Sequence, residues 1–285
     1  MTTVITSLSP NIGRPDVYGS DMGGEYRRQC AQSWHCAGAR IVSVNTEDKI
    51  TRLAQLNYPV DFVAVEPRPF MPGRRPLTSI LDALDVAKGL RNDVVLLANA
   101  DIMLGAGRDR LGIIESMLED GSFLFASRFD IGTIGLKSGN IYPYGYGVFA
   151  FHASRAWDLD ADAFTFGSPW WDYWLPLAAL FGGLRLRFLE GDDFHRLVHE
   201  RAWSWSAWNF GFALFIRKLR SRLRHSGRVD TAGDFGLGFS NFLLTETLND
   251  IQHRVSSNSE APHALGMKMS RFVRSVLSWR SRKVQ

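Results

Sequence analysis

The residues in this chain whose types and spacing suit chemistry fall at three places: Asn99-Ala100-Asp101, Asp172 within a run of aromatics, and the histidines His195 and His199. The triplet follows five apolar residues, Val94 to Ala98, that read as a strand buried on both faces of a sheet. A carboxylate at the end of such a strand can hold a divalent cation and, through it, a diphosphate. Asp101 would serve as well in capping the next turn. Asp172 stands in Ser168-Pro169-Trp170-Trp171-Asp172-Tyr173-Trp174, where Pro169 fits a helix start and the helix dipole favours an anion in the first turn. Aromatic walls desolvate a carboxylate and raise its pKa toward the range useful for accepting a proton. Helix capping or an ion pair with an arginine explains the same residue without chemistry. Trp171 and Trp174, one helical turn apart, suit core packing. Imidazole suits manganese or zinc, so a histidine late in the chain can complete a coordination sphere begun at Asp101, although a lone histidine is more often an ordinary core or surface residue.

These groups need a scaffold, and the apolar pattern supplies one. Strands are expected at residues 3–8, 39–45, 60–66 and 94–98, separated by helices at residues 25–37 and 48–56 and by a helix carrying Leu77, Ile80, Leu81 and Leu84. The alternation predicts an α/β, doubly wound, Rossmann-like sheet with crossover connections. A further helix carries Leu111, Ile114 and Leu118, and strands follow at residues 122–127, 148–151 and 184–189. Between Arg128 and Gly147 lies a loop rich in Gly and Tyr, the kind of segment that binds substrate beside a rigid sheet.

Composition narrows the class. At 285 residues the chain has a core that needs no staples, and Cys30 and Cys36, six apart, form no zinc pattern and are expected to be reduced. No leader-like or membrane-spanning apolar stretch is found, so a cytoplasmic protein is expected. The net charge of +4 divides unevenly: residues 217–285 carry +8 and residues 1–216 carry −4. Residues 206–285 read as an amphipathic, basic helical extension. The run from Trp205 to Arg224 and the periodic Met269, Phe272, Val273, Val276 and Leu277 suit an anionic membrane surface, with peripheral attachment at the inner face, as well as they suit a helix packed on the catalytic domain. No RNA-binding signature accompanies the charge, and no nucleic-acid partner is expected.

Taken in order, the strand with its triplet, the block from Phe166 to Leu175 and His199 after a strand resemble a GT-A-fold glycosyltransferase, which moves a sugar from a nucleoside diphosphate to an acceptor. The resemblance covers about residues 1–205 as a catalytic domain and implies a mixed GT-A-like sheet. It implies that Asp101 and His199 hold a divalent metal, Mn²⁺ or Mg²⁺, with His195 as second choice for the late ligand. Asn99 stands where that motif's first Asp usually is, and so would touch ribose or metal-bound water. Asp172 falls at the position of the catalytic base in inverting members. Ser7, Asn45 and Glu66, at the ends of the first three strands, match positions lining the nucleotide pocket, and Arg128 would meet a phosphate or the sugar. Trp171 and Trp174 would bind the acceptor, a glycan or lipid-linked group of the kind used in polysaccharide biosynthesis. Gly145-Tyr146-Gly147 departs from the Gly-X-Asp of some related sequences. A non-catalytic, membrane-docked scaffold of the same fold is the alternative. A nucleotidyltransferase ranks last, because residues 9–15 lack a Gly-rich phosphate loop.

Overall fold

A computed structural model describes residues 1–11, 13, 20–68, 77–90, 93–105, 109–118, 121–133, 139–142, 145–162, 164–189, 192–198 and 204–225. In chain order the elements begin β1 (Thr2–Thr6), α1 (Gly23–Cys36), β2 (Arg40–Asn45), α2 (Glu47–Ala54), β3 (Asp61–Ala64), α3 (Ile80–Lys88), β4 (Val94–Ala98) and β5 (Met103–Leu104). They continue with α4 (Arg110–Leu118), β6 (Phe123–Ala126), β7 (Phe129–Ile131), β8 (Gly139–Ile141), β9 (Val148–His152), a 3-10 helix (Ala153–Asp158), α5 (Trp171–Phe181), β10 (Leu186–Leu189), β11 (Phe194–Leu197) and α6 (Trp205–His225). The chain divides into two compact units: Met1–Tyr142 with Tyr146–Gly211, and Pro143–Gly145 with Phe212–Gln285. In the second unit the described residues are Gly145 and 212–225, the latter all helical.

The first unit is a mixed, mostly parallel α/β structure. Its seven-stranded sheet has the order β10-β6-β9-β4-β1-β2-β3, and only β9 runs antiparallel to its neighbours. From β1 the chain fills β2 and β3 on one side and then crosses to β4 on the other, so strand order reverses between β1 and β4. Ligands of open α/β sheets bind outside the carboxyl ends of strands at such a reversal. All five residues of β4 are buried, as expected for a strand covered on both faces. Leu96 packs in a cluster with Ala31 and Trp34 of α1 and Ile114 and Leu118 of α4. On the opposite face an aromatic layer includes Phe123, Phe149, Phe151 and Trp171, with Phe149 and Trp171 ring centroids 5.2 Å apart.

A second, four-stranded sheet has the order β5-β11-β7-β8. The sequence pattern does not announce these strands, which have only two to four residues each. The loose segment expected from Arg128 to Gly147 and the histidine-bearing stretch after residue 192 thus supply strands that pair with each other. Among the described residues no helix is long and apolar enough to cross a membrane. Cys30 is buried and Cys36 exposed, and neither is in a disulfide.

Leu96 is 0% and Ile113 41% exposed, which separates core from surface. Leu96→Ala is expected to lower unfolding free energy by about 2–5 kcal/mol, and Ile113→Ala by no more than about 0.5 kcal/mol. Denaturant unfolding of the two variants checks the difference.

Candidate active site

The charged groups meet because of a register. β11 pairs parallel to β7 with Arg196 opposite Asp130, and antiparallel to β5 with His195 opposite Met103. Side chains alternate across a pleat, so one face carries Met103, Phe129, Ile131 and Leu197, packed with Tyr26 and Cys30 of α1. The other carries Asp130 and Arg196. Arg196 Nε donates to Asp101 Oδ2 at 2.9 Å, and both side chains are mostly buried. Arg128 Nε donates to Asp130 Oδ1 at 3.0 Å, and its guanidinium carbon lies 3.6 Å from the centre of the Tyr142 ring, a cation–π stack.

Asp101 is carried by the turn after β4, closed by the Ile102 amide donating to the Asn99 carbonyl at 3.2 Å. Tyr26 joins that turn to the second sheet: its hydroxyl donates to the Asp101 carbonyl at 2.6 Å and accepts the Leu197 amide at 2.8 Å. Burial, with the field of Asp101 among lesser causes, pushes the Tyr26 phenol far above its ordinary range, so it remains a donor. Gly147 lies alongside, accepting the Asn99 amide at 3.3 Å. A Cβ there would stand 3.1 Å from Ile102 and 3.3 Å from the Arg128 Cβ, so close approach favours glycine.

Asp172 sits in the first turn of α5, as its sequence context predicts, although the helix begins after Pro169 rather than on it. Trp170 caps the helix with φ 80°, a left-handed conformation that a bulky residue adopts only at a cost. Its indole donates to the Trp208 carbonyl at 3.1 Å. Pro176 has no N–H to give the Asp172 carbonyl, so the first turn lacks one helical bond at the residue of interest. The segment leading into α5 is tied to the sheet's switch point: the Phe166 amide donates to the Thr78 carbonyl at 2.9 Å, and Thr78 Oγ1 accepts from Ser7 Oγ at 2.9 Å.

The Asp172 carboxyl is half-buried, and its Oδ1 accepts the Tyr173 amide at 3.2 Å. Burial raises its pKa from the ordinary 3.8 to about 6, against the opposing pull of Arg128 and of backbone donors that include the Tyr146 and Tyr173 amides. Arg196 is held protonated by Asp101 first and Asp130 second, which outweigh the opposing effect of burial. Asp101, Arg196, Asp130, Arg128 and Asp172 are thus one connected set, and the field of Asp172 also reaches Tyr142.

The remaining expected residues divide. Ser7 is half-buried at the end of β1, and accepts from Asn45 Nδ2 at 3.3 Å. Asn45 is fully buried, donates to the Leu8 carbonyl at 2.8 Å and accepts from Ser43 Oγ, which ties the loop after β1 to β2. Glu66 is exposed beyond edge strand β3. Asn99 is half-buried next to Asp101. Trp171 and Trp174 are 2% and 0% exposed, with Phe149 and Phe166 packed near the first and Phe164 and Phe181 near the second. His195 lies on the face of β11 away from Arg196, with its ring 5.8 Å from that of Phe129. His199 lies outside the described residues. Tyr26, Asp130, Tyr142 and Arg196 were not anticipated. The alternations Phe129-Asp130-Ile131 and Phe194-His195-Arg196-Leu197 were the signal for two of them.

Whether these groups suit a divalent cation is a matter of donor chemistry. Such an ion takes about six oxygen ligands, with carboxylates supplying the charge. Here Asp101 gives one oxygen to a guanidinium, Asn99 is neutral and His195 is turned away. No group of three His, Cys, Asp or Glu side chains converges among the described residues, and His199, the expected late ligand, lies outside them.

Tyr26→Phe leaves the Asp101 carbonyl and the Leu197 amide without their shared partner. A loss of about 1–3 kcal/mol in chemical denaturation is expected. No model of a known protein family matches the sequence, and no curated protein matches it.

Proposed function

We propose that the chain is a GT-A-type glycosyltransferase that moves a sugar from a nucleoside diphosphate to a hydroxyl of a glycan or lipid-linked acceptor, with Asp172 as the base. The observation that carries this reading is the half-buried Asp172 carboxyl, with its pKa near 6, in one charged set with Asp101. A mostly parallel sheet with a strand-order reversal between β1 and β4, and the single antiparallel strand β9 beside β4, supports it.

The residues divide the work as follows. The acceptor hydroxyl gives its proton to Asp172 as its oxygen bonds to the anomeric carbon. The bond from that carbon to the diphosphate oxygen breaks, and its electron pair leaves with the diphosphate. A base whose pKa lies just below neutrality is largely ionised and yet basic enough to accept the proton. Water exclusion by the aromatic layer under α5 provides that basicity, and Arg128 keeps it from rising further. The leaving charge needs a cation, and Arg196 and Arg128 are the cations of this face.

Asp172→Asn is expected to lower kcat about 10²- to 10⁴-fold with little change in KM. In the wild type, kcat/KM should fall as pH drops through about 6, where the carboxylate takes up a proton. Stability has the opposite sign. A carboxyl whose pKa is raised on folding stabilises most fully below its unfolded value, and loses that contribution as pH rises through about 6. Asp172→Asn should therefore raise stability at neutral pH, by about 1–3 kcal/mol. Steady-state kinetics with thermal unfolding checks both signs. Failure of every nucleoside-diphosphate sugar to bind or be consumed, with or without Mn²⁺, would overturn the reading.

A further inference from the structure

We propose that Arg196 is the resident cation of this site: its guanidinium stands at Asp101 in the place of a divalent metal, and a nucleoside diphosphate binds with Arg196 as its counter-charge and without metal. The identity of the ligand rests on the function proposed above. The claim about the cation rests on geometry alone.

Three features of the pair point this way. Arg196 and Asp101 are 15% and 18% exposed, so the contact is built into the site and is not an ion pair loose on the surface. Asp130, opposite Arg196 in the β7–β11 register, adds a second carboxylate that holds the guanidinium charge in place. The Tyr26 hydroxyl bonds to the backbone of Asp101 and of Leu197, the neighbour of Arg196, and fixes the two ends of the pair against each other. A metal at Asp101 would have to displace this guanidinium or share one carboxylate with it, and two cations at one carboxylate repel strongly where water is scarce. Asn99, neutral in the first position of the triplet, adds no charge to hold the second cation.

A guanidinium is also well suited to the diphosphate itself. It is planar and permanently charged, and its N–H donors match phosphate oxygens in pairs. Asp101 then competes with the diphosphate for Arg196. Removing the Asp101 charge should strengthen diphosphate binding, the reverse of what removal of a metal ligand does.

The test uses the full chain and two probes: Mn²⁺ alone, followed by electron paramagnetic resonance, and UDP, GDP, ADP and CDP titrated calorimetrically in EDTA and in Mn²⁺. The wild type is expected to bind no stoichiometric Mn²⁺, and Arg196→Met to acquire a site between Asp101 and Asp130. The nucleoside diphosphate that binds should do so with affinities in EDTA and Mn²⁺ within about threefold; Asp101→Asn should tighten it at least about threefold and Arg196→Met weaken it at least about tenfold, with a smaller loss in Arg196→Lys. The lysine variant and Asp101→Asn keep the test open should the methionine variant fail to fold. Mn²⁺ binding by the wild type that Asp101→Asn abolishes, diphosphate binding lost in Asp101→Asn, or no gain of Mn²⁺ by folded Arg196→Met would each overturn the proposal. If no nucleoside diphosphate binds at all, the function proposed above fails and the Mn²⁺ measurements decide the claim about the cation.

Discussion

The ion pair between Asp101 and Arg196 closes a loop of 95 residues and brings the end of a central parallel strand against a small second sheet. Its geometry depends on the pairing of β11 with β7 and β5. A slip of one residue in β11 would turn Arg196 toward the Met103, Phe129 and Ile131 face and place a histidine or a leucine opposite Asp101. Charge placement therefore fixes the register as firmly as apolar packing does. A mostly buried charge left alone is costly, so each member of the pair depends on the other.

The same logic extends to Asp172 from a different direction. The aromatic layer that closes over β9 and β6 buries Trp171 and Trp174 on either side of it, and brings the first turn of α5 close to the charged face. Burial raises the carboxyl's pKa, while Arg128 and backbone donors that include the Tyr146 and Tyr173 amides limit the rise. Core and candidate site thus share residues: the same helix carries the buried tryptophans and Asp172. The left-handed Trp170 and the helical Pro176 mark the same turn as one whose backbone departs from the lowest-energy choice.

How far this was legible in the sequence varied with the length of the pattern. The parallel strands and their helices could be read because apolar runs of four to six residues bounded by turn residues leave few alternatives, and Val94 to Ala98 is the plainest case. Asp172 could be located because a carboxylate among tryptophans needs a reason. The second sheet was hidden, since two to four residues give too short a record of alternation, and its pairing is set by contacts distant in sequence. Arg196 was hidden with it: adjacent His195 drew the chemistry, and one residue of pleat separates the two faces. The burial of Asn45 and of the indoles of Trp171 and Trp174 was not legible for a single reason. Residue type shows what a group could bind, and burial decides whether it is still available.

The central claim, that Asp101 and Asp172 belong to one electrostatically connected site, is tested most directly by the titration of Asp172 itself. The carboxyl ¹³C resonance of labelled Asp172, followed by NMR against pH in the wild type and in Arg128→Met, reads the connection without assuming a substrate. The expected result is a midpoint near 6 in the wild type that moves higher when the Arg128 charge is removed. A midpoint at the ordinary 3.8, or one that the loss of Arg128 leaves unchanged, would contradict it.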